Sequence, residues 1–261
     1  MDVEKRRQAM AVAVTIPASC QRTVQRTASS RWTRQNYMTR RLALRACLIL
    51  SALAITAAQS TGAHPITGRR YAAVMDARGA GWLDRPEREA EEAPERALDI
   101  IGIKKGSTVA DIGAGSGFMT LRLAMRVGST GLVYATDIQQ AMLDLLAQRL
   151  KSGHITNVQL VLGESGDPKL SDASVDLALL VDVYHEFSEP QSMLRGIRRA
   201  LKAGGRLVLL EYRKEEAWIP IRPEHKMSVA EARAEIEPEG FRFIRVDDGL
   251  PWQHVLTFTK R

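Results

Sequence analysis

An α/β fold on a mostly parallel sheet is predicted by three observations. Short apolar runs alternate with helical patterns through most of the chain from Val109 to Ile236, the rhythm of strand–helix–strand units. Val175–Val181 is apolar throughout except for Asp176, the composition of a strand covered on both faces. The chain then finishes in two strand-like runs, Phe241–Val246 and Trp252–Thr259, joined through Asp247-Asp248-Gly249-Leu250-Pro251. A short link with an Asp-Gly turn favours an antiparallel hairpin. The sum is a sheet with helices on both faces and one antiparallel strand.

The elements follow in order. His64–Arg85 is irregular, punctuated by Pro65, Gly68, Gly79 and Gly81, and is read as an arm packed on the domain or lidding its site. From Pro86 the pattern turns helical, with Leu98 and Ile101 on a buried face and Gly106 ending the unit. Val109–Ile112 is a first strand, Phe118–Arg126 a helix, and Leu132–Thr136 a second strand. Ile138–Lys151 is a helix whose Met142, Leu145, Leu146 and Leu150 share one side. Asn157–Leu162 and Val175–Val181 are the third and fourth strands. A helix starts at Glu189-Pro190, capped by Ser188, carries Met193, Leu194, Ile197 and Leu201, and stops at Gly204-Gly205. Arg206–Leu210 is the fifth strand. Ser228-Val229-Ala230-Glu231 reads as a capping box opening a helix to about Ile236, followed by Gly240.

The chemistry concentrates where the first strand ends. Val109-Ala110-Asp111-Ile112-Gly113-Ala114-Gly115-Ser116-Gly117 runs from an apolar strand through an acid into a glycine-rich turn, and Asp137 closes the next strand. Glycines let the backbone approach a nucleoside-bearing ligand, and an acid on the neighbouring strand accepts hydrogen bonds from ribose hydroxyls. A dinucleotide loop of the form G-x-G-x-x-G requires its third glycine at position 118, where this chain has Phe118; the glycine is Gly117.

That D-x-G-x-G-x-G form resembles the first motif of class I S-adenosylmethionine-dependent methyltransferases, over roughly residues 86–261. Later landmarks agree in order and spacing: Gly163-Glu164-Ser165-Gly166-Asp167 after the third strand, Ser174–Asp182 around the fourth, and Leu201-Lys202-Ala203-Gly204-Gly205 before the fifth, with Ala203 where the family usually has proline. Within that class the chain resembles the type 11, quinone-biosynthesis-like methyltransferases. The resemblance implies a Rossmann-like, doubly wound, seven-stranded sheet of order 3-2-1-4-5-7-6 with strand 7 antiparallel. It implies S-adenosyl-L-methionine as the cofactor and an unidentified, small-molecule methyl acceptor.

By the same resemblance, Gly113, Ala114, Gly115 and Gly117 give the backbone room against the cofactor, and Asp111 orients its ammonium. Asp137 takes the ribose hydroxyls, and Ile138 packs on the adenine. Glu164 or Ser165 lies beside the adenine amino group, and Asp182 lines the floor. The alternative for Asp137 is a cap on the helix beginning at Ile138, a role compatible with ligand contact, and for Asp182 a cap on the turn after strand four. Methyl transfer from a sulfonium needs alignment above all, and a base only where the acceptor must lose a proton. His185 is the candidate base or orienting group, since its ordinary pKa lies near neutrality; a packing role in the loop is the alternative. Glu186 and Tyr184 are lesser candidates. Glu211, Tyr212, Arg213, His225 and Lys226 follow strand five and are candidates for the acceptor pocket by position. No metal ligand set is assigned.

Composition narrows the partners. The chain of 261 residues carries a net charge of +7, but residues 1–45 hold ten Lys/Arg and two acids, a net of +8. The remainder has 27 basic and 28 acidic residues, a net of −1, which makes a nucleic-acid partner unlikely on charge grounds. No acid lies between Glu4 and Asp76, and Arg40-Arg41 precede an apolar run, residues 46–58, of a length that suits a secretory signal better than a bilayer span. A signal peptide, a transit peptide, a signal anchor and a start at Met38 all fit residues 1–63. Export to the periplasm accords with such a leader, and the cytoplasm accords with the cofactor's supply. Both cysteines, Cys20 and Cys47, fall in the leader, so residues 64–261 hold no thiolate nucleophile or Cys-based metal site. The expected layout is a leader at 1–63, an arm and helix at 64–105, and the cofactor-binding domain at 106–261. The rival readings are a non-catalytic S-adenosylmethionine-binding module and an NAD-dependent oxidoreductase.

Overall fold

The computed structural model describes residues 62–261. The expectations placed on the leader, including the apolar run 46–58 and both cysteines, lie outside the described residues.

Eight strands form one sheet: β1 (Thr108–Ile112), β2 (Leu132–Asp137), β3 (Val158–Leu162), β4 (Val175–Val181), β5 (Leu201–Arg213), β6 (Lys226–Met227), β7 (Phe241–Asp247) and β8 (Gln253–Lys260). The order is β3-β2-β1-β4-β5-β8-β7, with the two-residue β6 paired to the end of β5. β1 to β5 run parallel, and β8 is antiparallel to both β5 and β7. This is the expected doubly wound order, with the numbering of the last two strands shifted by β6. The chain moves from the edge strand β3 back to β4 beside β1. Strand order therefore reverses between β1 and β4, which opens a crevice at their carboxyl ends.

Side chains alternate between two cores, as the period of a strand requires. Ala110, Ile112, Ala178, Leu180, Leu207 and Leu209 face one side and meet Met193, Leu194 and Ile197 of helix α6 (Pro190–Ala200) and Ile236 of α7 (Val229–Ile236). Val109, Leu177, Leu179, Val208 and Leu210 face the other side. They meet Leu98 and Ile101 of α3 (Pro94–Ile101) and Leu123 of α4 (Phe118–Val127). Helix α5 (Gln140–Ser152) covers the outer strands through Leu146 and Leu150. The predicted capping box is present: the Glu231 amide donates to Ser228 Oγ at 3.1 Å, and the Ser228 amide to Glu231 Oε2 at 3.1 Å.

Four local expectations are corrected. The helical segment after Pro86 is two helices, α2 (Arg88–Glu92) and α3, broken at Ala93, whose φ is 48°. It stops at Gly102, not Gly106, because Gly102 takes the left-handed cap with φ 68°. Ser188 does not cap α6; Glu189 holds that position without a side-chain bond, and Pro190 follows at N1, where its missing amide costs nothing. Gly204-Gly205 do not end α6, which stops at Ala200. They are absorbed into β5, where the register against β4 shifts between Val175 and Leu177.

The arm before α1 (Ala80–Leu83) is fixed to the domain by a buried ion pair. Arg69 donates through Nε to Glu235 Oε1 at 3.1 Å and through Nη2 to Oε2 at 2.8 Å. Arg69 Nη1 also donates to the carbonyl of His185 at 3.2 Å, and the Ala72 amide donates to the same carbonyl at 3.0 Å. The arm thus braces the turn that carries His185.

Candidate functional site

A cavity of about 620 Å³ opens at the reversal point between β1 and β4, within the size range of small-molecule sites. One wall is the turn after β1. The Asp137 carboxylate at the end of β2 accepts the Gly115 amide on Oδ2 and the Gln139 amide on Oδ1, both at 2.9 Å. One carboxylate thus ties the glycine turn to the approach of α5, but the foreseen cap of a helix beginning at Ile138 is corrected: the helix begins at Gln140, Gln139 holds the N-cap position, and Asp137 bonds the Gln139 amide one residue before the helix. Burial raises its pKa, and those amide bonds oppose the rise.

Gly113 and Gly117 each make room for a neighbouring side chain. A Cβ on Gly113 would lie 2.4 Å from Val183 Cγ2, so the absent side chain lets the turn after β4 close against the turn after β1. Gly117 has φ 90°, and a Cβ there would lie 2.2 Å from Leu146 Cδ1. It does not line the cavity, which corrects its assignment to ligand contact: it is the seat on which α5 packs against the start of α4.

Asp111 is 2 % exposed and accepts Thr120 Oγ1 at 2.5 Å. Burial pushes its carboxyl up to about 6, with Thr120 pulling the other way and Asp137 adding repulsion. Asp182 takes a left-handed φ of 50° after β4, as short acids tolerate. Its Oδ2 accepts Gln253 Nε2 at 2.7 Å, while its buried Oδ1 has no hydrogen-bond partner. Burial raises the Asp182 pKa, reinforced by Glu92 and Glu211.

The opposite wall is a histidine cluster. His185 sits on the single turn Tyr184–Glu186 and is 2 % exposed. Its Nδ1 lies 2.6 Å from Glu211 Oε2 on β5, and Glu211 Oε1 accepts the Tyr184 amide at 3.0 Å. Its Nε2 lies 3.2 Å from Nδ1 of His225 on the turn Pro223–His225. Burial acts to lower the His185 pKa, but the charge and hydrogen bond of Glu211 outweigh it, so the net shift is upward. Burial pushes Glu186 up to about 7. His225 is lowered, first by burial and then by His185.

The structure gathers Asp111, Gly113, Ala114, Gly115, Asp137, Ile138, Glu164, Ser165, Asp182, His185 and Glu186 on one cavity, with Tyr212 and His225 of the position-based group. Besides Gly117, four candidates fall elsewhere. Tyr184 is wholly buried, its ring 5.5 Å from the Arg69 guanidinium, and its hydroxyl has no partner. Arg213 donates to the carbonyls of Leu250, Pro251 and Gln253 and holds the final hairpin. Lys226 Nζ donates to the carbonyls of Glu216 and Ile219. Glu211 is absent from the lining and acts on it through His185.

Sequence reasoning missed Arg85, Arg88, Glu92 and Arg222. Tyr212 Oη donates to Glu92 Oε1 at 2.8 Å, and Arg88 grips the same carboxylate at 2.8 and 2.7 Å. The i, i+4 spacing of Arg88 and Glu92 was the available signal, but it reads equally as a solvated helix pair. In all, the lining carries six carboxyl groups (Glu92, Asp111, Asp137, Glu164, Asp182, Glu186) against three arginines. Burial favours the neutral forms of Asp111, Asp182 and Glu186, so the lining offers carboxyl hydrogen-bond partners more than net charge, a composition that suits donor groups better than a pyrophosphate.

Comparison with known proteins agrees with the fold. Residues 103–245 match the family model described as a methyltransferase domain. The ubiquinone/menaquinone biosynthesis C-methyltransferases of Escherichia fergusonii and Salmonella arizonae are each 33% identical over 118 residues, 45% of this chain and 47% of theirs. The chain spans about half the length of the curated relatives it matches. A solved S-adenosylmethionine-dependent methyltransferase from Aquifex aeolicus is 30% identical with a TM-score of 0.68, covering 72% of this chain and all of that one. The [4+2]-cyclase SpnF shares the fold at 17% identity and a TM-score of 0.56, over 75% of this chain and 88% of its own.

Proposed function

The chain belongs to the methyltransferase domain family, and from that premise we propose that it moves a methyl group from S-adenosylmethionine to a small-molecule acceptor seated between the glycine turn and the His185 cluster. The observation that carries this reading is the Asp137–Gly115 bond at the mouth of a cavity whose far wall is His185, Glu186 and His225.

The residues fit S-adenosylmethionine. Ser116 Oγ and Asp182 Oδ1 both belong to residues that line the cavity, and both are buried polar atoms without partners. The carboxyl groups of the lining offer acceptors for a ligand's ammonium and ribose hydroxyls. Asp137 would hold the ribose and Asp111 the ammonium side. Ile138, 43 % exposed at the rim, would cover the adenine beside Glu164 and Ser165. When bound, S-adenosylmethionine supplies an electrophilic methyl group, so no protein nucleophile is required.

The chain's own residues align and exclude. Met142, Phe118, Met119 and Phe187 line the cavity with apolar surface and limit water. Glu211 orients His185 through Nδ1, which leaves Nε2 directed at the cluster. From there His185 serves as base or as an acceptor-orienting group.

The test is a substrate screen with methyl-labelled cofactor. With an accepted substrate, His185→Ala should lower kcat by about 100-fold or more and barely change cofactor affinity. His185→Gln separates the roles: recovery of the rate with Gln identifies orientation, and loss with both identifies proton transfer. Unchanged turnover in both variants would leave alignment by the cavity to carry the reaction alone. Cofactor binding with no transfer to any acceptor would favour the binding-module reading.

A further inference from the structure

We propose that His185, Glu186 and His225 form a binding site for a divalent transition-metal cation of the zinc class, set in the wall of the acceptor cavity. One ligand atom from each residue lies within 4.8 Å of the other two. Two imidazoles and a carboxylate are the donor set of open, three-ligand zinc sites, and they suit zinc over magnesium, which prefers oxygen.

The spacing supports this. Two ligands about 2.0–2.1 Å from a tetrahedral zinc stand roughly 3.3 Å apart. His185 Nε2 and His225 Nδ1 are already 3.2 Å apart. Glu186 is the ligand that must close in.

An independent feature is the partner behind His185. Metal-bound histidines commonly donate their other ring N–H to a carboxylate, which fixes the tautomer and leaves the ligating nitrogen as a lone pair. Glu211, wholly buried, lies 2.6 Å from His185 Nδ1 and is itself anchored by the Tyr184 amide. A neutral His185 that donates there presents its Nε2 lone pair to the cluster. The carbonyl of His185 is gripped by Arg69 and Ala72, so the backbone of the ligand turn is fixed as well. The three ligands come from two short turns, and all line the cavity, so the remaining coordination positions face the space an acceptor would occupy.

The site can be tested without the function proposed above, but an Nε2 that ligates zinc is not free to take a proton, so with the metal bound His185 acts on an acceptor by orientation and not as a base. Its use in holding an acceptor by an oxygen or nitrogen atom does rest on that reading.

The test is calorimetry on the full chain after chelator treatment, titrated separately with zinc chloride and magnesium chloride. The expected result is one zinc per chain with Kd in the micromolar range or below, and no heat with magnesium. His225→Ala and Glu186→Gln, both at partly exposed positions, should each weaken zinc at least 10-fold while thermal melts stay unchanged. Glu211→Gln should weaken zinc by about 10- to 100-fold, the scale for loss of an orienting partner. Cobalt substitution should give a visible d–d spectrum that His225→Ala abolishes. Absence of saturable zinc binding, or binding that survives both His225→Ala and Glu186→Gln, overturns the proposal. S-adenosylmethionine titrated into the same metal-free protein reports separately on the methyltransferase reading, so either can fail alone.

Discussion

Glu211 Oε2 lies 2.6 Å from His185 Nδ1, although the two residues sit 26 positions apart on different elements. The carboxylate fixes the imidazole's tautomer and leaves only Nε2 to face the cavity. Glu211→Gln keeps the size and can still accept the Tyr184 amide, but it loses the charge. Methyl transfer should then fall at least 10-fold with cofactor Kd unchanged, since a wrong tautomer disables a positioned imidazole. Single-turnover rates beside cofactor titrations check this split.

Gly117 is predicted to matter for packing more than for binding. Gly117→Ala forces a Cβ to within 2.2 Å of Leu146 Cδ1 at a φ of 90°. Overpacking together with left-handed strain should destabilise the domain by about 2–4 kcal/mol. Chemical denaturation measures it, and protein that remains folded should keep most of its cofactor affinity.

Asp111 gives a pH signature. Its carboxyl is raised to about 6 by burial, so the folded chain holds this proton more tightly than the unfolded one. Its contribution to stability is therefore greatest below about pH 4, declines as pH rises from about 4 to 6, and is level above that. The decline amounts to about 3 kcal/mol. Asp111→Asn should remove it, seen as the difference between the two proteins' stability–pH curves. By the same linkage, a ligand ammonium beside Asp111 favours the ionised form, and affinity should rise through this window.

The arm should prove integral to the domain. Arg69 and Glu235 are buried and doubly hydrogen-bonded across 166 residues. Arg69→Met leaves the buried Glu235 with only the Thr67 hydroxyl and His64 beside it, and should cost about 3 kcal/mol. Replacing both, with Glu235→Leu, should recover part of that loss. Melts of the single and double variants provide the check.

These cases show what the sequence alone carried. The glycine turn, Asp137, the β4 run and the Ser228–Glu231 box were legible because each is written in a few adjacent residues. The Glu211–His185 pair was not, because only the parallel register of β4 and β5 brings it together. The two residues were foreseen separately, by position. Arg88 and Glu92 were hidden because an i, i+4 pair looks the same on a solvated helix as on a cavity wall. Gly117 was assigned to the ligand because spacing alone does not distinguish a glycine that admits a ligand from one that admits Leu146. Gly204-Gly205 looked like a helix stop because a bulged strand has no distinct signature in so short a run.

The central claim is that the cavity at Asp137 holds a sulfonium nucleoside and not a dinucleotide. Calorimetry of the full chain with S-adenosylmethionine, its demethylated product and NAD tests it most directly. The expected result is a micromolar Kd for the first two, about −8 kcal/mol, and no measurable heat with NAD. Asp137→Ala should weaken the first two by about 1–3 kcal/mol, the scale of lost charge-assisted hydrogen bonds. Tight binding of NAD with none for S-adenosylmethionine, or full affinity in a folded Asp137→Ala protein, would contradict it.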